Sequence, residues 1–205
     1  MNPADPTRIV RAPAAGELPP QVAAFKRITA TVRLLHDGDE PQLQEFFHSH
    51  TPDTLYGRYG CLVATMTPER AHQLVNVDQT RDCALGIFAA APGGEVLHAV
   101  GRYCLDPDGR SAELAFVVRE TMRQQGMATT LLRLLTKVAR ARGLDRLWAQ
   151  VNTHNSDMLG VFRRHGFTLA ADREPGVVRA VLPLQAAAPP AARPARKRAP
   201  ARRRR

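Results

Sequence analysis

Residues 112–130, the most informative part of the chain, read Ala-Glu-Leu-Ala-Phe-Val-Val-Arg-Glu-Thr-Met-Arg-Gln-Gln-Gly-Met-Ala-Thr-Thr. Its apolar half predicts a strand, its basic middle predicts a turn, and the residues from Gly126 onwards predict a helix. The first N–H groups of a helix have no intrahelical partner, and the helix dipole adds to their attraction for an anion. The spacing Arg123-x-x-Gly126-x-Ala128 also keeps bulky side chains away from the backbone. The turn is therefore a candidate binding site for an anionic group such as a pyrophosphate. The alternative, which the spacing alone favours, is an ordinary helix that begins at a glycine.

Hydrophobic patterns on both sides of this stretch predict an α+β protein. Strands are predicted at 28–35, 83–90, 96–105, 112–118, 147–151, 167–170 and 177–184, and helices at about 41–48, 51–59, 68–77, 126–142 and 155–164. Asn155 has the side chain of a helix cap, and Gly143 and Gly166 are suited to left-handed helix ends. Strands that precede a strand–helix–strand–helix series predict a mostly antiparallel sheet with one parallel pair in the middle.

Composition divides the 205 residues into three parts. Residues 1–26 contain five prolines without hydrophobic periodicity, which predicts a disordered segment. Residues 27–184 are long enough to form one domain with a hydrophobic core. Residues 185–205 are rich in Ala, Pro and Arg and predict a disordered basic tail.

The net charge of +10 is concentrated in that tail. Residues 193–205 hold eight Lys or Arg side chains and no acid, so 21 basic and 19 acidic residues remain in the rest of the chain. A tail of this kind can bind a polyanion or nucleic acid through phosphate contacts without reading bases. It can equally serve as a solubility tail.

Cysteines and apolar runs indicate a cytoplasmic protein. Cys61, Cys83 and Cys104 have no C-x-x-C spacing, which argues against a disulfide framework or a zinc site and favours a reducing compartment. The start of the chain does not read as a secretory signal, and no uncharged apolar run is long enough to cross a membrane. His48-Ser-His50 has no carboxylate or cysteine pair beside it in sequence, so we expect no metal site.

Seven short motifs follow one another between residues 28 and 184. They are Thr51-Pro-Asp-Thr-Leu-Tyr-Gly-Arg-Tyr59, Leu74-Val-Asn-Val-Asp78, Ala99-Val-Gly-Arg-Tyr103, Asp106-Pro-Asp-Gly109, the stretch 112–130, Asn155-Ser-Asp-Met-Leu159 and Arg163-Arg-His-Gly-Phe167. In this order the motifs resemble the GNAT acetyltransferase superfamily. Within it, they are most similar to the bacterial protein lysine acetyltransferases that modify acyl-CoA synthetases.

The resemblance implies a mixed sheet whose central parallel strands splay apart to receive acetyl-CoA, without a metal. It implies that the turn binds the pyrophosphate and that the preceding strand end pairs with the pantetheine arm. The implied cofactor-binding residues are Phe116, Val117, Val118, Arg123, Gln124, Gln125, Gly126, Met127, Ala128, Thr129 and Asn155.

Glu113 is the candidate catalytic residue. A lysine amine has a pKa of about 10.4, so only roughly one molecule in 2,500 is neutral at pH 7, and releasing the proton costs about 4–5 kcal/mol. A carboxylate acting directly or through water can accept that proton, and the resemblance places a glutamate at this position of the strand. The alternative is an edge-facing glutamate in an alternating strand.

Two positions depart from the family pattern. Phe162 stands where many members have a tyrosine that protonates the leaving thiolate, and Ala128 stands where glycine is usual. Members of the lysine acetyltransferase branch also tend to lack that tyrosine.

Three functions compete on this basis. The first is acetylation of a protein lysine, with an acyl-CoA synthetase as one partner. The second is acetylation of a small amine such as a polyamine, amino sugar or antibiotic, which a closed acidic pocket around residues 48–60 would favour. The third is an acyl-CoA-sensing module that binds nucleic acid through its tail.

Overall fold

One eight-stranded sheet forms the centre of the computed structural model, which describes residues 18–59 and 65–184. The strands are β1 (Gln21–Ala24), β2 (Thr29–Leu34), β3 (Cys83–Ala91), β4 (Gly94–Leu105), β5 (Ser111–Val118), β6 (Arg146–Asn152), β7 (Thr168–Ala171) and β8 (Val177–Pro183). The helices are α1 (Glu40–His48), α2 (Pro52–Tyr59), α3 (Pro68–Val75), α4 (Met127–Ala141) and α5 (Ser156–Arg164). The strand order is β1-β2-β3-β4-β5-β6-β8-β7.

All neighbouring strands are antiparallel except β5 and β6, which confirms the predicted α+β architecture. The parallel pairing is short, because it runs only from Ser111 opposite Arg146 to Glu113 opposite Trp148. Beyond that point β5 stays paired with β4 as far as Val118, and β6 stays paired with β8. The two central strands therefore separate and leave a V-shaped opening between them.

Each face of the sheet is covered by a separate apolar layer. Helix α4 packs on one face through a buried stripe that includes Leu131 and Leu135. Helices α1 to α3 cover the other face with a second buried cluster, which includes Phe46 and Phe47. A Cβ atom at Gly101 of β4 would lie 3.0 Å from both Leu131 Cβ and Phe116 Cδ1, so glycine permits α4 to approach the strands closely. This close contact fixes the start of α4 beside the opening.

Strand β1 corrects the sequence-based prediction. Disorder was predicted for residues 1–26, but Gln21–Ala24 pairs antiparallel with residues 29–32 of β2. Four residues among prolines carry too short a pattern to indicate a strand, and it is the β2 edge that supplies their hydrogen-bond partners. Residues 1–17, Cys61 and the tail 185–205 lie outside the described residues. The structure describes no helix that is long and apolar enough to span a membrane.

Candidate active site

Glu113 lies at the vertex of the opening between β5 and β6. Its Cα is opposite Cys104 on β4 and Trp148 on β6, and it is the last β5 residue that is paired on both sides. From Leu114 onwards the β6-facing edge of β5 has no paired strand among the described residues. The predicted pantetheine-binding residues 116–118 lie on this edge, so their backbone groups border the opening.

The turn before α4 has two residues with left-handed backbone angles. Gln124 has φ 59° and Gly126 has φ 89°. No side chain caps the N-terminus of α4, whose first intrahelical bond runs from Thr130 N–H to the Gly126 carbonyl. A Cβ added at Gly126 would meet no atom within 4 Å. The start of the helix is therefore sterically open, with the N–H groups of residues 126–129 outside the intrahelical pattern.

Side chains of the turn are used mainly to hold it in place. Arg123 donates to Thr54 Oγ1 at 2.7 Å and lies 3.7 Å from a Glu120 carboxylate oxygen. Gln125 is buried, and its Oε1 accepts the N–H of Arg27 at 3.1 Å. Met127 is buried in the core, whereas the Gln124 side chain is exposed. The side chains of Arg123 and Gln125 already have protein partners. We therefore keep the prediction that this turn binds a ligand through its backbone N–H groups.

The opposite wall of the opening ends in Asn155, which precedes α5. Its side-chain oxygen accepts the N–H of Met158 at 3.1 Å, which confirms the predicted helix cap. Phe162 of α5 is 1% exposed, and its ring packs against Phe167 and Phe116 with centroid distances of 4.6 and 6.2 Å. A phenyl ring at this position braces α5 against β5 but cannot protonate a leaving group.

Sequence reasoning missed a contact between His50 and Glu120. His50 Nδ1 lies 3.0 Å from Glu120 Oε2, and the Thr51 N–H donates to Glu120 Oε1 at 3.1 Å. Burial alone would raise the pKa of Glu120, but hydrogen bonds from Thr54, Thr51 and His50 outweigh it and lower the pKa to about 2. Burial lowers the pKa of His50, and the contact with Glu120 offsets part of that effect. The two residues are 70 positions apart, so no local pattern could have indicated their contact.

Acid should remove the stabilisation that Glu120 provides. Its pKa is about 2 in the folded protein and about 4.5 when unperturbed, so the contribution is full above pH 4.5 and disappears as the pH falls towards 2. After allowance for partial exposure, we expect Glu120→Gln to lower the free energy of unfolding by about 1–2 kcal/mol at pH 7. Denaturant titrations of both proteins from pH 7 to pH 3 measure this difference. A gap that stays constant down to pH 3 would contradict the assignment, and Glu174→Gln in the exposed β7–β8 turn is the control.

A cleft lies between α1, α2 and the sheet. Two polar side chains, His50 and Arg102, line it, and apolar side chains form most of the rest, among them Phe46, Phe47, Leu55, Val100, Ala115 and Val117. Ala115 and Val117 belong to β5, and Glu113 shares their face of the strand because side chains alternate along it. We call this space the acceptor-side cleft, since it adjoins the opening on the face of Glu113.

The described part of the chain contains no group of three or more His, Cys, Asp or Glu side chains arranged to hold a metal ion. The same part has no acidic side chain among the residues that line the acceptor-side cleft. The lining of this cleft is therefore not acidic, whereas the Glu120 carboxylate lies beside residues 50 and 51.

Comparison with known proteins gives a family match over most of the described region. A family model described as the acetyltransferase (GNAT) family matches residues 43–167. The structure of the GNAT domain of S. lividans PAT is 26% identical with a TM-score of 0.71, and the alignment covers 80% of this chain and 96% of that one.

Two more distant structures share the fold. One is yncA of Salmonella typhimurium with its cofactor acetyl-CoA, at 19% identity and TM-score 0.62, with 79% of this chain and 98% of that chain covered. The other is RimL, a ribosomal L7/L12 alpha-N-protein acetyltransferase in complex with coenzyme A, at 16% identity and TM-score 0.61, with 80% and 98% covered.

Proposed function

The chain belongs to the acetyltransferase (GNAT) family, and we propose that it transfers the acetyl group of acetyl-CoA to a lysine side chain of a protein. Family membership makes it an acetyl-CoA-dependent N-acetyltransferase. The observation that carries the finer proposal is the position of Glu113 at the vertex of the β5–β6 opening, on the face of the acceptor-side cleft.

The cofactor-binding assignment rests on backbone groups. The uncapped start of α4, with residues 126–129, would hold the pyrophosphate through N–H donors, and the Thr129 hydroxyl would add one more. The free edge of residues 116–118 would pair with the pantetheine amides, and Asn155 would border the arm from the other wall. Acetyl-CoA supplies an activated thioester carbonyl. The protein would orient this carbonyl and accept the proton that the acceptor ammonium group loses.

Catalysis would proceed by direct attack of the acceptor nitrogen on the thioester carbonyl carbon, with cleavage of the carbon–sulfur bond. Glu113 would accept the ammonium proton, and backbone N–H groups of β5 would polarise the carbonyl oxygen. Because Phe162 is a buried phenyl group, the thiolate would take its proton from water or from the acceptor amine. Cys83 is an unsuitable nucleophile, since burial raises its thiol pKa to about 11.

The likeness to the S. lividans PAT domain and the motif pattern favour a protein lysine as acceptor. Acyl-CoA synthetases are the first class of protein to test, because the motif pattern resembles the branch that modifies them. A small amine with several positive charges, such as a polyamine, is less well supported than a single lysine, because the polar side chains of the acceptor-side cleft are Arg102 and His50 rather than carboxylates. The nucleic-acid alternative depends on residues 193–205, which lie outside the described residues.

Incubation of the pure protein with labelled acetyl-CoA and a cell lysate tests this proposal. We expect label on a small set of lysines, mapped by mass spectrometry, and no label above background with Glu113→Gln. A purified acyl-CoA synthetase should be labelled in a parallel reaction. Label confined to small molecules would reject the protein acceptor while leaving the acetyltransferase activity intact.

A further inference from the structure

Arg102 places a positive charge in the acceptor-side cleft. It lies on β4 directly opposite Ala115, between apolar neighbours on the same face of the sheet. Its Nε is buried without a hydrogen-bond partner. None of the ion pairs among the described residues involves its guanidinium. A guanidinium is charged at every physiological pH, so it cannot become neutral to suit apolar surroundings.

The other partly buried arginines of the sheet and of α4 have partners. Arg33 binds Asp39 at 2.8 Å and Glu95 at 2.9 Å. Arg119 binds Glu45 at 2.6 Å and the Leu97 carbonyl at 2.9 Å. Their protein partners make the solitary Arg102 an exception that a structural role does not explain.

Arg142 of the α4 end confirms the contrast. Its Nε, like that of Arg119, is buried without a partner, but its terminal nitrogens donate to the backbone carbonyls of Asp82 and Gln79. Among the partly buried arginines that the structure describes, Arg102 therefore differs from Arg33, Arg119 and Arg142, because its buried Nε has no partner and no described carboxylate or carbonyl accepts from its terminal nitrogens. A half-buried charge without a partner destabilises the fold, and an anionic ligand would remove that cost.

His50 supplies the second polar group of the cleft. Its side chain is 1% exposed, with Nδ1 engaged by Glu120, and its Nε2 is buried without a partner among the described residues. Because the ionised Glu120 accepts only hydrogen bonds, it assigns the imidazole proton to Nδ1 and leaves a lone pair on Nε2. The cleft thus offers unused donors on Arg102 and apolar walls, whereas the unused acceptor on His50 is shielded from solvent.

We infer that the acceptor-side cleft selects lysines flanked by an acidic residue, whose carboxylate pairs with Arg102 while an apolar neighbour contacts the partly exposed side chains of Leu74, Val100 and Val117. This inference rests on the proposed lysine acetyltransferase function and defines its substrate class. Residues two positions apart on one face of a strand are about 6.6 Å apart. Because Arg102 is opposite Ala115, the backbone of Arg102 is separated from that of the predicted base Glu113 by about the length of one arginine side chain. An amine at Glu113 and a carboxylate at Arg102 can belong to one short peptide segment.

Matched peptides test the inference. Acetylation of a Leu-Glu-Lys peptide should exceed that of its Leu-Gln-Lys counterpart by about 10–100-fold in kcat/KM, as expected for a charged hydrogen-bonded pair. Arg102→Met should bring this ratio close to one, and Arg102→Glu should invert the preference in favour of a Leu-Lys-Lys peptide. Equal use of both peptides by the unaltered protein would overturn the inference alone. Failure to acetylate any lysine peptide would overturn the proposed function as well.

Thermal unfolding provides a readout that does not depend on turnover. Since Arg102→Met removes an unpaired charge from an apolar cleft, we expect the Tm of the unliganded protein to rise by about 2–5 °C. Arg33→Met is the matched control. It leaves the carboxylates of Asp39 and Glu95 without their ion-pair partner, so it should lower the Tm. A lowered Tm for Arg102→Met would show that Arg102 has a structural partner, and would overturn the inference.

Discussion

Replacement of Glu113 by glutamine should lower kcat at pH 7.5 by about 100-fold or more, because the amide cannot accept the ammonium proton. Affinity for acetyl-CoA should stay within about twofold, since the predicted cofactor contacts are backbone groups elsewhere. The loss should shrink as the pH approaches 10, where lysine, with a pKa of about 10.4, deprotonates without help. Steady-state kinetics at pH 7.5 and pH 10, with calorimetry for acetyl-CoA, measure both effects.

A neighbouring residue is the control for this experiment. Cys104 lies opposite Glu113 across the β4–β5 ladder, and we expect Cys104→Ser to retain activity because direct attack needs no enzyme thiol. Strong loss in Cys104→Ser would favour a covalent acyl-cysteine and contradict the proposed mechanism. A Glu113→Gln protein with unchanged kcat would show that another group is the base, and His50 Nε2 would then be the next residue to replace.

Replacement of Gly126 by aspartate should weaken acetyl-CoA binding by about 100-fold, corresponding to about 2.7 kcal/mol. The added carboxylate would stand at the open start of α4, where it would take the predicted place of the pyrophosphate and repel it. Calorimetry on the folded variant measures the dissociation constant. An unchanged affinity of the variant for acetyl-CoA would show that the N-terminus of α4 is not part of the binding site.

Gly109 provides the matched control for backbone strain. Both glycines have positive φ angles, 89° for Gly126 and 65° for Gly109, and neither would place a Cβ within 4 Å of another atom. Aspartate at either position should therefore lower the Tm by a similar, small amount. Gly109 lies in the β4–β5 turn at the far end of β5, so Gly109→Asp should leave acetyl-CoA binding unchanged.

The order and type of the elements were predictable because they depend on local patterns. The apolar run 112–118, the turn through Gly126 and the periodic stripe of α4 are each encoded within about twenty consecutive residues. The bounds of the predicted elements agree with the structure to within two residues, as with the helix predicted at 126–142 and found at 127–141. Strand β1 was missed because its stability depends on the β2 edge rather than on its own four side chains.

The candidate site was predictable only in part. Motif similarity indicated Glu113, the turn 123–129 and Asn155, and the structure places all of them around the β5–β6 opening. It did not indicate that the side chains of Gln125 and Arg123 form hydrogen bonds with Arg27 and Thr54. A side chain's partner is decided by three-dimensional packing, which the spacing of residues along one turn does not record.

Local sequence patterns were sufficient to indicate the family, the α+β architecture and the strand–turn–helix at residues 112–141. Tertiary structure alone decided the chemistry of the acceptor-side cleft. It joined His50 to Glu120 across 70 residues and left Arg102 without a carboxylate. The physical reason is that secondary structure follows from interactions over a few residues, whereas the pairing of a buried charge depends on which distant side chains the completed fold brings within about 3 Å.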